Sequence, residues 1–454
     1  MPAQFDPPSG TRDFLAEEFE RREGAFAVIR EVFARFGFEP LQTPAFERLD
    51  VLLGKYGDEG DKLIFKILRR GEHEASGEAD LALRYDMTVP LARVAAAYGS
   101  QLPTPYKRFA MGPVWRADRP GKGRFREFTQ CDLDTLGSAS PLADAEIICA
   151  VHDAMAGLGL DGFGFQLNSR RVLTGLLEAF GVPASLGPAA LITLDKLDKQ
   201  PPQAVIAELA DRGLDEATAA ELVDVVGAPD AASRVADALK GSDQGVAGLD
   251  EVSRVLDLAG PLLPAERIEF SPRLVRGLSY YTGTIWEVTA PGVPGSLAGG
   301  GRYHHLIEQL GGPDVPATGG SLGIERILLM LPGDAAVRPG RLDVAVTVWS
   351  EELASRSFAF AARARAAALR ASVYMGSSGK LGKQLKWASD QGARWALIYG
   401  SSEHEAGTVT VRDMRTGEQA AVAASELTRY LAEAAEAEAA EAEAARGAEA
   451  GGGR

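Results

Sequence analysis

The run from Pro332 to Arg341, PGDAAVRPGR, sets the first limit on the fold, because its prolines and glycines make it a linker by composition. A chain of 454 residues is also too long for one compact core, so two or three domains are expected. Behind the linker, Leu342, Val344, Val346 and Val348 alternate as a half-buried strand. A helix over Glu351–Leu369, a strand near Val373, a helix over Lys383–Ala393 and a strand over Trp395–Tyr399 follow. That order suits a small α/β domain with a partly parallel sheet. The final stretch, Leu431–Arg454, is rich in alanine and glutamate and either extends a helix or stays disordered.

Ahead of the linker, Phe19, Phe26, Ile29, Val32 and Phe33 stand at helical spacing over Glu17–Phe36, and Gly37 ends that helix. Pro40 and Pro44 frame an extended segment. Strand-like runs follow at Leu63–Leu68 and Leu81–Tyr85, then a helix after Pro90. Residues 104–136 alternate aromatic, basic and turn residues, as two strands joined by a flexible loop at Arg119–Arg124 would. Asp144–Leu158 reads as helix. From about Asp195 to Leu263 alanine, leucine and acids take over, the texture of a small helical insertion. Strand patterns return at Ile268–Phe270 and Tyr280–Thr289, before a glycine-rich bend at 299–301 and a helix over Ser321–Leu331.

Apolar residues make up 46% and charged residues 24%, the balance of an ordinary globular protein. No N-terminal signal peptide is readable, and nowhere are there the ~18 uninterrupted apolar residues of a membrane span, so a cytoplasmic protein is expected. Cys131 and Cys149 are the only cysteines and the five histidines form no ligand pattern, so no structural metal is expected. The net charge of −15 does not exclude a polyanionic partner, because the basic groups are concentrated. Residues 104–130 carry a local +5 and residues 341–430 a local +3, against −4 in the tail 431–454.

Five segments can carry chemistry. In Arg84–Pro90, Asp86 beside Thr88 suits either an ammonium group or a cap on the next helix. In Gly112–Asp134, Arg116, Arg119, Arg124 and Arg126 are planar, permanently charged forks that fit phosphate oxygens. Phe128 offers a stacking surface, and alternation puts Phe128, Gln130, Asp132 and Asp134 on one strand face, a pattern a solvated hairpin does not need. In Arg273–Gly283, Arg276 and Tyr281 flank a glycine turn, which is either a strand entry or part of a site. Gly299–Gly301 permits close backbone approach to a ligand but matches neither a P-loop nor a dinucleotide fingerprint. Gly319–Arg326 puts Arg326 in the first turns of a helix, as a phosphate clamp or a plain surface arginine.

Taken together and in this order, these segments resemble the class II aminoacyl-tRNA synthetases, and among them the histidyl-tRNA synthetase family, over essentially residues 5–430. Phe38–Pro44 resembles the class dimer-interface motif, 112–134 the second class motif and 319–326 the third. Arg276–Tyr281 and Gly300–Tyr303 resemble the two motifs peculiar to the histidine enzymes. The resemblance implies an α+β fold, with an antiparallel-sheet catalytic domain over 1–335 that contains a helical insertion at 195–263. An α/β anticodon-binding domain over 341–430 and the tail 431–454 follow.

It also implies roles. Arg116 and Arg276 would act on the ATP α-phosphate as catalytic groups, Arg326 would hold the γ-phosphate and Phe128 would stack on adenine. Asp86, Thr88, Gln130 and Asp134 would bind the substrate α-amino group and its surroundings, and Tyr281 and Tyr303 would line the imidazole pocket. Mg²⁺ would accompany ATP, no protein metal site is implied, and the partners would be L-histidine, tRNA(His) and a second copy of the chain. The chain departs from the family pattern at Ser279, where an acid is usual, and at His304-His305, where Asp usually follows the tyrosine. Asp118 is likewise shorter than the usual Glu. A rival family, the synthetase-like regulatory subunits of ATP phosphoribosyltransferase, typically lacks the anticodon domain and the ATP arginines.

Overall fold

The computed structural model describes residues 5–71, 76–121, 123–198, 200–264, 266–276, 280–331, 342–437 and 440, in two units, Met1–Ala336 and Val337–Arg454. The linker residues 332–341, Ser279 and most of the tail beyond 437 lie outside the described residues.

The first unit is built on one large sheet. In chain order its strands and those of a smaller sheet are β1 (Glu39–Pro40), β2 (Phe46–Arg48), β3 (Lys66–Leu68), β4 (Ala79–Leu83), β5 (Tyr106–Trp115) and β6 (Glu127–Leu136). They continue with β7 (Gly164–Ser169), β8 (Ile268–Phe270), β9 (Thr284–Thr289), β10 (Ala298–Arg302) and β11 (Ala317–Gly323). Eight of them run β1-β5-β6-β11-β10-β9-β7-β8, antiparallel except for the parallel outer pairs β1–β5 and β7–β8. The small sheet is β2-β4-β3.

The long hairpin shows why the sheet has two different faces. β5 and β6 pair from Tyr106↔Leu136 to Trp115↔Glu127, and side chains alternate across the pleat. Phe109, Cys131 and Leu133 point to one side, into a core shared with Ile29, Val32 and Phe33 of the helix Ala16–Arg35 and Ile147, Ile148 and Val151 of the helix Pro141–Gly157. The latter helix starts where Ser140 accepts the Leu142 N–H at 3.2 Å and Pro141 takes the first turn. The opposite face carries Arg108↔Asp134, Ala110↔Asp132, Gly112↔Gln130 and Val114↔Phe128, and is free for a site.

Several expectations need correction. Gly299–Gly301 is no bend: it forms the body of β10, fully paired to β9 and β11. Ser321–Gly323 is likewise strand, and the helix begins only at Ile324 and runs to Met330. Glycine-rich strands have no side-chain period to read, and here close packing, not propensity, makes them strands. Sequence reading misses the strand β7, although Phe165 and Leu167, which enter the core, alternate in it with Gln166 and Asn168. Helices run from Arg170 onward, and the last of them, Asp243–Ala259, packs into the sheet's own core through Val252, Val255 and Ala259.

The second unit has its own sheet of β12 (Val344–Val346), β13 (Ala371–Val373), β14 (Trp395–Ile398), β15 (Thr408–Asp413) and β16 (Gln419–Ala423), ordered β13-β12-β14-β15-β16. β12 is parallel to both neighbours, and β15–β16 is an antiparallel hairpin. The helix Glu351–Ala366 covers it through Phe360, Ala361 and Ala364. The tail sequence opens as the end of a helix, 427–437, whose Leu427 and Leu431 are fully buried against the same core. Among the described residues no helix is long and apolar enough to cross a membrane.

Candidate active site

The ten residues to which the resemblance gives roles line one cleft on the open face of the large sheet: Asp86, Thr88, Arg116, Phe128, Gln130, Asp134, Arg276, Tyr281, Tyr303 and Arg326. They come from segments up to 240 positions apart, and the cleft has an acidic end and a basic end. Arg119, Arg124, Arg126 and Asp132 are not among its lining residues, and Arg124 and Arg126 bind Asp118 instead, at 2.6 and 3.1 Å.

At the acidic end, Asp86 follows β4 and precedes the helix Thr88–Tyr98. One carboxylate oxygen accepts the N–H groups of Thr88 and Val89 at 3.1 and 3.0 Å and the Tyr56 hydroxyl at 3.1 Å. The other is buried with no hydrogen-bond partner among the described residues, so the capping and ligand-binding readings hold for different oxygens of one group. Burial raises the Asp86 pKa, opposed by the Val89 hydrogen bond and the charge of Arg116.

Deeper in, Asp134 accepts the Tyr303 hydroxyl at 2.5 Å and pairs at 2.8 Å with Arg108, which is wholly buried and also donates to the Met87 carbonyl at 3.0 Å. Asp132 sits between these groups in the strand, and burial, against the pull of Arg108 and with the push of Asp134, raises its pKa to about 7. Gln130 donates to the Ser321 hydroxyl at 2.8 Å, bridging β6 and β11. Tyr280 packs between Tyr281 and Tyr303, at ring-centroid distances of 4.9 and 5.8 Å. Arg302, next to Tyr303, is held by Asp144 and by the Ser138 and Ser140 carbonyls, the latter two at 2.9 Å, while Thr318 donates to Asp144 at 2.6 Å.

At the basic end, the Arg116 guanidinium lies 4.3 Å from the Tyr85 ring and 5.1 Å from the Phe128 ring, and its Nε donates to the Tyr85 carbonyl at 3.1 Å. Arg326 donates to the Ser296 carbonyl at 2.7 Å. Burial lowers its pKa, and the nearby charges of Arg124 and Arg116 add to that, as expected where cations gather around a place for a polyanion. Arg276 pairs with Glu287 at 3.4 Å and lies flat on β10 at Gly299. A Cβ at 299 would stand 2.8 Å from the Arg276 Cζ, so only glycine leaves the guanidinium its seat. The floor of the cleft is therefore bare backbone.

Sequence reading missed Tyr56, Arg108 and Glu287, whose partners are distant in the chain. Glu287 carried the one visible signal, a charge inside the apolar strand Thr284–Thr289. His304 and His305 do not line the cleft. His305 instead faces Glu308 and Asp314 at 3.2 and 3.4 Å, the only group of three His, Cys, Asp or Glu residues near enough to hold a metal ion among the described residues.

Such a cleft fits an elongated molecule with an ammonium group at one end and phosphates at the other. Residues 10–327 match the family described as histidyl-tRNA synthetase. The chain belongs to the histidyl-tRNA synthetase family. Residues 343–434 match the anticodon binding domain. A histidine–tRNA ligase of Gloeobacter violaceus is 37% identical over 441 residues, covering 90% of this chain and 94% of that one. A histidyl-tRNA synthetase crystal structure from a Nostoc species superposes with a TM-score of 0.76 at 29% identity, over 94% of this chain and 99% of that one. A Bacillus halodurans structure titled as an ATP phosphoribosyltransferase regulatory subunit/histidyl-tRNA synthetase has a TM-score of 0.72 over 88% of this chain and all of its own. At 20% identity that likeness shows the fold alone.

Proposed function

We propose that this member of the family is a histidine–tRNA ligase that activates L-histidine with ATP and transfers it to the 3′ end of tRNA(His). The observation that carries the reading is the meeting of Arg116, Arg276 and Arg326 with Asp86, Asp134 and Tyr303 in one cleft.

The histidine ammonium would take the unpartnered oxygen of Asp86, with Thr88 and Gln130 beside it. The imidazole would lie among Tyr281, Tyr303 and Asp134. Phe128 would stack on adenine, Arg116 and Arg276 would face the α-phosphate, and Arg326 the γ-phosphate. A histidine carboxylate oxygen attacks the α-phosphorus, the bond to the bridging β-oxygen breaks, and pyrophosphate carries away the electron pair. Charge builds on the α-phosphate oxygens, and cations already fixed there stabilise it without reorganising. A terminal ribose hydroxyl of the tRNA then attacks the carbonyl carbon, and AMP leaves. Glu287 is paired with Arg276 and Asp118 with Arg124. Mg²⁺ would accompany ATP and neutralise its outer phosphates.

Residues 343–434 would bind the anticodon. Two copies would pair through the edge of the large sheet at β1, within Phe38–Pro44, and the enzyme would work in the cytoplasm. A purely regulatory role fits less well, because the three phosphate-facing arginines are all in place.

Histidine-dependent ATP–pyrophosphate exchange tests the reading. Folded protein without exchange would refute it. Arg276→Ala should slow exchange by about a hundredfold or more while leaving histidine affinity within a few fold. Equal loss of both would contradict the role given to Arg276.

A further inference from the structure

Behind the nucleotide-binding face lies a buried ion pair with no role in the scheme above. Arg22, in the helix Ala16–Arg35, and Glu325, the neighbour of Arg326, meet at 3.1 Å with side chains only 6% and 5% exposed. The Glu325 carboxylate also takes the Thr129 N–H, at 3.1 and 3.3 Å to its two oxygens. Arg22 donates to the Thr129 hydroxyl at 3.0 Å, and its guanidinium lies 4.0 Å from the Phe14 ring centroid.

The strand register explains why this contact exists. β6 and β11 pair from Leu136↔Ala317 to Gln130↔Gly323, where the chain leaves the sheet and enters the helix Ile324–Met330. Thr129 is one residue past the last rung, and its N–H has no strand to face. A part-buried N–H off the end of a strand ladder still needs an acceptor, and the Glu325 carboxylate supplies it in place of the missing strand. One side chain thereby ties the residue between Phe128 and Gln130 to the helix that carries Arg326.

We propose that Glu325 and Arg22 are positioning residues for ATP. Glu325 sets the separation of Phe128 and Arg326, the adenine and γ-phosphate contacts. Arg22 supplies the countercharge a buried carboxylate requires and holds it on Thr129. Neither residue lines the cleft, so both act through their neighbours. The inference rests on the reading of the cleft as an ATP and histidine site. A pair that merely held the fold together would lower stability and leave the balance between the two substrates unchanged.

The experiment is ATP–pyrophosphate exchange on the full chain, with KM measured for ATP and for histidine separately and unfolding followed alongside. Glu325→Ala should raise KM for ATP by about tenfold or more, with KM for histidine within about twofold. Glu325→Gln keeps an oxygen for the Thr129 N–H and should recover most of the loss. Thr129→Val, which removes only the hydroxyl that Arg22 holds, should raise KM for ATP by roughly two- to threefold. Absence of exchange in the wild type would sink the reading of the cleft itself. With the wild type active, variants that shift both KM values equally, or neither, overturn the inference. Should Glu325→Ala not fold, Glu325→Gln and Thr129→Val decide it by the same comparison.

Discussion

Gly299→Ala tests the basic end of the cleft with a single carbon. The added Cβ would stand 2.8 Å from Cζ and 2.9 Å from Nη2 of Arg276. Such atoms rest at about 3.5–4.0 Å, so the guanidinium must retreat by about 1 Å. Gly299 does not have the positive φ that would strain an alanine, and the obstacle is the tip of a flexible side chain. Stability should therefore change by less than about 1 kcal/mol. At an effective dielectric of ~20, attraction to a phosphate charge falls from about 4 kcal/mol at about 4 Å to about 3 kcal/mol at about 5 Å. A misaligned charged hydrogen bond forfeits about 1.5–3 kcal/mol more. The sum, about 2–4 kcal/mol, slows adenylate formation by roughly 30- to 1,000-fold. ATP–pyrophosphate exchange at saturating histidine reads this, with thermal unfolding measured beside it. Gly300→Ala is the contrast, because its Cβ would meet the Gly320 Cα and the Trp286 ring, both at 2.6 Å, where backbone and a buried indole cannot step aside. That variant should lose Tm first. A folded Gly299→Ala protein exchanging within about threefold of wild type would refute the reasoning, as would a loss that follows Tm.

Two further outcomes follow from burial. The raised pKa of Asp132 means that the folded protein binds a proton which the unfolded chain has released, so this group's contribution to stability is lost as pH rises from 3.8 to about 7. Asp86, Asp134 and Asp144 shift in the same direction; Asp132→Asn should remove one part of that slope, seen as a gain on the order of a few kcal/mol in urea unfolding at pH 8 relative to pH 5. An unchanged slope would count against it. In the second unit, Leu431→Ala deletes a fully buried side chain and should cost about 2–5 kcal/mol in that unit's unfolding, with exchange activity retained.

What could be read from the sequence, and what could not, divides along physical lines. The hairpin of β5 and β6 was legible because its faces differ so sharply: Cys131 and Leu133 against Gln130 and Asp134. The same alternation put Phe128, Gln130, Asp132 and Asp134 together in advance, and the arginines announced phosphate by their chemistry. Gly299–Gly301 and Gly319–Gly320 carried no such contrast. Their strand state comes from Trp286 and from each other, which no local pattern records. Tyr56, Arg108 and Glu325 were invisible as site components for a related reason. Each acts on a partner, Asp86, Asp134 or Thr129, that only the folded chain brings near. The roles of Tyr281 and Tyr303 were legible only through family resemblance, since a tyrosine beside a strand is ordinary packing.

The rung that joins Gln130 to Gly323 also bears on how the protein is made. β6 leaves the ribosome with β5 already available as a partner, but its other edge waits for β11. At about 5–20 residues per second, that wait lasts about 10–40 s. Throughout it, a long strand has one row of backbone groups unpaired, the kind of edge that recruits strands from other chains. Synthesis speed and chaperone access across the intervening helices therefore bear directly on the yield of active protein. A slow codon placed just before β11 would cost more than one placed after it.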